Sequence, residues 1–132
     1  MNGSLIILAG FVIAILAFSS CNKKQEEICL SHTTAHVRNV DGPNMVLVNS
    51  ETDLAVKYYL GNSCGQFERL ESTSNGYTTI INLIAKYNGC VCADILLSGQ
   101  TVYKFKPVQT GTYYMKFLQP DKTYLTDTIT VN

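Results

Sequence analysis

From Leu54 onward the chain alternates apolar and polar side chains. Leu54, Val56, Tyr58 and Leu60 form one set at a spacing of two, and Ile81, Leu83, Ala85 and Tyr87 form another. Tyr103 with Phe105, then Tyr113, Met115 and Phe117, repeat the pattern, and Leu125, Ile129 and Val131 end it. Successive side chains of an extended chain point to opposite faces, so each set predicts a strand with one buried face. Lys57, Lys86, Lys104, Lys106 and Lys116 take alternate positions and are expected in water, as are Thr126, Thr128 and Thr130.

Turn signals separate these runs: Asp41-Gly42-Pro43, Gly61-Asn62, Asn75-Gly76, Asn88-Gly89, Ser98-Gly99, Thr110-Gly111 and Pro120-Asp121. Their rhythm suits a sandwich or barrel, and no segment beyond residue 21 keeps apolar residues at helical spacing for three turns. The expected fold is all-β: a two-sheet antiparallel sandwich, immunoglobulin-like, of about seven strands over residues 31–132. Tyr103–Phe117 predicts a strand, a turn closed by Gly111 and a second strand from Tyr113. This resembles the tyrosine-corner region of such sandwiches. The chain has no Trp, which sets it apart from antibody-type domains.

The first twenty residues follow another rule. Leu5 to Phe18 is a 14-residue run without a charge. A membrane-spanning helix needs roughly 20 residues, so the run reads as a cleaved export signal over residues 1–20. Phe18-Ser19-Ser20-Cys21 resembles a bacterial lipobox, with Phe18 in place of the usual Leu. It implies acylation of Cys21, and two or three acyl chains make a stable anchor. Residues 21–30 then read as a polar leash, in which Lys24-Gln25-Glu26-Glu27 resembles the short signals that send lipoproteins to the outer face of the outer membrane.

All ten basic and all ten acidic residues lie after Cys21 and balance to zero net charge. No basic patch stands out, so a nucleic-acid partner is not expected. Four further cysteines, Cys29, Cys64, Cys90 and Cys92, are an even number in an exported chain, where disulfides are the default. Cys90-Val91-Cys92 would place both sulfurs on one face of a strand, too strained to bond each other. The expectation is that Cys64 bonds one of them and Cys29 the other, in either order. The competing chemistry is a copper or zinc site built from Cys64, Cys90 and Cys92 with His32 or His36. In extended chain, however, His32 and His36 stand about 13 Å apart and would not share an ion.

Catalytic signatures are missing: there is no Gly-x-Ser-x-Gly, His-Glu-x-x-His or phosphate loop. Asp94, Glu68 and Glu71 read as surface charge. Of eight tyrosines, Tyr58, Tyr87, Tyr103 and Tyr113 are expected inward. Tyr59, Tyr114 and Tyr124 are expected outward, where a rigid ring with a polar tip suits a protein or a sugar.

Asn62-Ser-Cys-Gly65, Tyr87-Asn-Gly-Cys-Val-Cys92, Val102-Tyr-Lys-Phe105 and Gly111-Thr-Tyr-Tyr-Met-Lys-Phe117 resemble the pattern of small lipoproteins of the Bacteroidota, over roughly residues 54–118. The resemblance implies a sandwich and a cell-envelope location and carries no implied activity; no cofactor is expected. In that setting Asp127-Thr128-Ile129 resembles an O-glycosylation acceptor centred on Thr128. The functional expectation is a non-catalytic envelope lipoprotein, anchored through Cys21, that binds a protein or a glycan. The alternatives are an immunoglobulin-like protease inhibitor and the metal-binding protein.

Overall fold

The alternating runs all become strands in a computed structural model that describes residues 28–132. The segment expected to be an export signal, Cys21 and Lys24–Glu27 lie outside the described residues. The strands are β1 (Leu30–Thr34), β2 (His36–Asp41), β3 (Met45–Val46), β4 (Thr52–Leu60), β5 (Gly65–Asn75), β6 (Thr78–Asn88), β7 (Leu97–Phe105), β8 (Gly111–Leu118) and β9 (Tyr124–Val131). No helix occurs among the described residues. The folded part begins before residue 31, because Cys29 is disulfide-bonded and Leu30 opens β1.

Two sheets face each other. The smaller has the order β2-β4-β7, and the larger runs β1-β6-β8-β9-β3 with β5 on the other side of β6. Pairing is antiparallel except at two places: β6 with β8, and β3 with β9, are parallel. The first exception lies on the long β6, which has room for two partners on one edge. Its first half takes β8 in the register Thr78↔Tyr114 to Ile81↔Phe117. Its second half takes β1 in the register Ile84↔Thr34 to Asn88↔Leu30. Two shorter strands, of five and eight residues, thus share one edge of an 11-residue strand.

The strand count exceeds the expected seven for a simple reason. β1 and β2 are one extended run that crosses between sheets at buried Ala35, whose N–H donates to the Leu83 carbonyl at 2.8 Å, and β3 is only two residues long. The crossing also separates His32 from His36, which lie in different sheets.

Leu54, Val56, Ile81, Leu83, Ala85, Met115, Phe117, Ile129 and Val131 form the core, as their spacing predicts. Tyr58 and Tyr113 are buried with them, whereas Tyr87, Tyr103 and Leu125 are half-buried at its margin. The tyrosine corner is present. The Tyr113 hydroxyl donates to the Gln109 carbonyl at 3.1 Å, and its ring meets Phe105 and Tyr77 edge-on.

One turn signal was misleading. Ser98-Gly99 lies inside β7, and a Cβ on Gly99 would sit 2.5 Å from the Tyr58 ring. Glycine is there because the facing aromatic ring needs the space, not because the chain bends.

The cysteines correct a second expectation. β6 stops at Asn88, and Gly89 then adopts φ 145°, where a side chain would be strained and would press on Cys64 Sγ. Cys90 and Cys92 therefore sit in a loop rather than on one strand face. Their sulfurs diverge: Cys90 bonds Cys29, and Cys92 bonds Cys64.

Candidate functional site

The three tyrosines expected to face a ligand divide between two surfaces. Tyr114 and Tyr124 are exposed on the outer face of the larger sheet, Tyr114 opposite Thr128 and Tyr124 opposite Leu118. Lys116 Nζ lies 5.8 Å from the centroid of the Tyr124 ring. Tyr59 is on the outer face of the smaller sheet. No ligand resting on one face touches all three.

Around Tyr59 several polar groups converge. β4 sends Leu54, Val56, Tyr58 and Leu60 to the core and therefore turns Asp53, Ala55, Lys57 and Tyr59 outward. Register supplies the neighbours. His36 of β2 and Ser98 of β7 lie opposite Tyr59, while Asn39 and Gln100 lie opposite Lys57. An irregularity in β2 between Val37 and Asn39 inserts Arg38, whose guanidinium stands 5.5 Å over the Tyr59 ring. The His36 ring lies parallel to Tyr59 at 6.3 Å. A bulge of this kind re-aims a side chain, and a guanidinium over an aromatic face is held there by the ring quadrupole.

The result is a groove of about 350 Å³ lined by Arg38, Lys57, Tyr58, Tyr59, Ser98 and Gln100, with Gly99 between the last two. The two cations differ. Lys57 Nζ pairs with Asp41 at 2.7 Å, and Asn39 donates to the same carboxylate at 2.6 Å. Those hydrogen bonds, Lys57 first, hold the Asp41 carboxyl below the usual carboxylate range. Arg38 has no carboxylate partner among the described residues. Burial pushes the Tyr58 phenol up, so it stays protonated at neutral pH. The groove thus offers hydroxyls, an amide and one stacked cation without a carboxylate. This set of donors suits a ligand rich in hydroxyl or carboxylate oxygens.

Several of the remaining sequence candidates have structural partners. His32 Nε2 is 3.1 Å from Glu68, and Arg69 pairs with both Glu68 and Glu71. Cys64, Cys90 and Cys92 are consumed in disulfides, so the thiolates that copper or zinc would require are not available in this oxidised chain. No group of three or more His, Cys, Asp or Glu suited to a metal occurs among the described residues.

Thr128 is exposed, as its alternation predicts. Asp127 before it faces inward opposite Met115, and desolvation pushes its carboxyl up despite a hydrogen bond from the Thr128 backbone.

Sequence reasoning missed Arg38 and Gln119. The Arg38 signal lay in His36-Val37-Arg38, an alternation facing Tyr59, but nothing local indicates that β2 and β4 pair. Gln119 is buried after β8 and makes two hydrogen bonds to the backbone of Val37 in the other sheet.

No curated protein and no solved structure matches the chain. A family match does exist, and it spans strands β4 to β9, which supply most of the core and the Tyr59 side of the groove. On that match, over residues 54–131, the chain belongs to the family of the ORF11 beta-sandwich domain.

Proposed function

We propose that this protein is a non-catalytic cell-envelope lipoprotein, anchored through acylated Cys21, whose sandwich domain binds a glycan in the Tyr59 groove. The observation that carries the binding reading is Arg38. It is a guanidinium stacked on Tyr59, free of carboxylate partners among the described residues, beside Ser98 and Gln100. A surface cation normally gains little by forgoing an ion pair, whereas a fixed one beside hydroxyl and amide groups is preorganised for an oxygen-rich ligand. An acidic sugar fits this donor set better than a neutral one.

The direct test is titration calorimetry with oligogalacturonate against its methyl ester. The acid should bind more tightly than the ester. Loss of a charge-assisted hydrogen bond corresponds to roughly 10- to 100-fold in affinity, so Arg38→Gln should weaken acid binding by that factor and leave ester binding nearly unchanged. Tyr59→Ala should weaken both. Equal affinity of wild type and Arg38→Gln for the acid would refute the groove.

The anchor is tested separately. Intact mass of the mature protein should show a diacylglyceryl cysteine at Cys21, and Cys21→Ala should move the protein from the membrane to the soluble fraction. The same spectrum, from a host of the Bacteroidota, should carry a glycan increment that disappears in Thr128→Ala. An outer-membrane position facing the medium agrees with Lys24–Glu27. Protease added to whole cells should then remove the domain.

A further inference from the structure

The end of the sandwich that carries both disulfides exposes large apolar side chains and carries little charge. Ile28 is 82 % exposed, Val91 96 % and Leu96 66 %. Across residues 28–31, 60–66 and 88–97, which meet at this end, Asp94 is the single charged residue. The loop after β6 is fastened down rather than left loose. Cys90 and Cys92 are bonded to Cys29 and Cys64, and Gly89 N–H donates to the Cys29 carbonyl at 2.9 Å. Ser63 and Ala93 exchange two hydrogen bonds, N–H to carbonyl at 3.0 Å and N–H to Oγ at 2.8 Å. Large apolar side chains on a stapled loop, with a groove of about 480 Å³ beside them lined in part by Ile28, Leu30 and Tyr87, form a fixed hydrophobic tip. Exposed apolar surface of this kind marks contact sites for proteins or membranes.

We propose that this tip rests on the lipid bilayer, with Ile28, Val91 and Leu96 seated among the headgroups. The inference rests on the reading of Cys21 as the lipid anchor. Ile28 is seven residues beyond Cys21, a span of at most about 25 Å even when fully extended. The disulfide end is therefore the end that the anchor keeps at the membrane. The opposite end also exposes apolar residues, Met45 and Val108 among them, but it lies a strand length away. β4 alone has nine residues, about 30 Å. That end also carries Glu51, Lys104 and Lys106, whose charged groups resist leaving water. Side chains such as Val and Ile reach only the headgroup and upper acyl region, about 5–10 Å deep. In this orientation the strands stand up from the surface and both outer faces of the sandwich, including the Tyr59 groove, stay open to solvent.

The chain has no tryptophan, so a single one reports its own surroundings. Every described strand and both described disulfides lie within residues 28–132, so a chain starting at Cys21 keeps this sandwich. Its free Cys21 thiol is coupled to a maleimide phospholipid in phosphatidylcholine–phosphatidylglycerol vesicles. Val91→Trp should then show blue-shifted emission and strong quenching by brominated lipid, while Val108→Trp should show neither. Equal quenching of the two, no quenching of Val91→Trp, or a blue shift that appears without vesicles and grows with protein concentration would overturn the proposal. The last result would assign the tip to a second copy of the chain. Because the coupling is chemical, its outcome is independent of acylation in the cell. An unmodified Cys21 in the intact mass defeats the anchor, and unquenched Val91→Trp defeats the docking.

Discussion

Reduction of the two disulfides is expected to unfold the sandwich at ambient temperature. Cys29–Cys90 joins residues 61 apart in sequence and Cys64–Cys92 joins residues 28 apart. Restricting the unfolded chain over loops of these sizes is worth roughly 4 kcal/mol each in the chain-entropy account, and measured contributions are typically about 2–4. Two together approach the whole stability of an ordinary domain, about 5–15 kcal/mol. The effects should also differ in kind. Cys29→Ser with Cys90→Ser releases β1, which is exposed along most of its length, so part of the loss should be fraying of that strand. Cys64→Ser with Cys92→Ser loosens the loop after β6 from the turn after β4. Denaturant titration of oxidised and reduced protein measures the total, and hydrogen exchange of the β1 amides separates the two bonds. A reduced protein with an unchanged midpoint would show that the bonds merely staple ends that are already fixed.

Gln119→Met should destabilise the domain by about 2–6 kcal/mol while nearly conserving side-chain volume. The Gln119 carboxamide accepts from Val37 N–H at 3.2 Å and donates from Nε2 to the Val37 carbonyl at 3.1 Å. It completes the open edge of β2 as a neighbouring strand would, from the end of a strand in the other sheet. All the groups involved are buried, and each backbone group left without a partner costs about 1–3 kcal/mol. Gln119→Glu provides the sharper measurement. Ionised, the new carboxylate can accept but not donate, and it is buried; protonated, it can do both. Burial raises its folded-state pKa above the unfolded value, so the folded state prefers the proton and stability recovers as pH falls through the raised pKa. Thermal melts from neutral to acidic pH should show Gln119→Glu gaining on wild type. Parallel curves would mean that the two hydrogen bonds are not what holds β2 there.

Much of the fold was legible because strand chemistry is local. β4, β6, β8 and β9 carry side chains that alternate between core and water, and a period of two is written residue by residue. Most turns were legible for the same reason, since glycine, asparagine and proline act on their own backbone.

The rest depends on which distant segments meet. Four cysteines allow two bonds, but only the placement of the residue 29 segment and the turn after β4 around one loop decides Cys29–Cys90 and Cys64–Cys92. Ser98-Gly99 reads locally as a turn, and the Tyr58 ring opposite makes it a strand. The parallel pairing of β6 with β8, along an edge that β6 also shares with β1, is revealed by no period. Arg38 joins Tyr59 through the β2–β4 register and one inserted residue. Gln119 looks like any turn-flanking polar residue until the Val37 backbone of the facing sheet is set against it. Alternation along a chain records which way each side chain points, and pairing across the fold decides what it meets there.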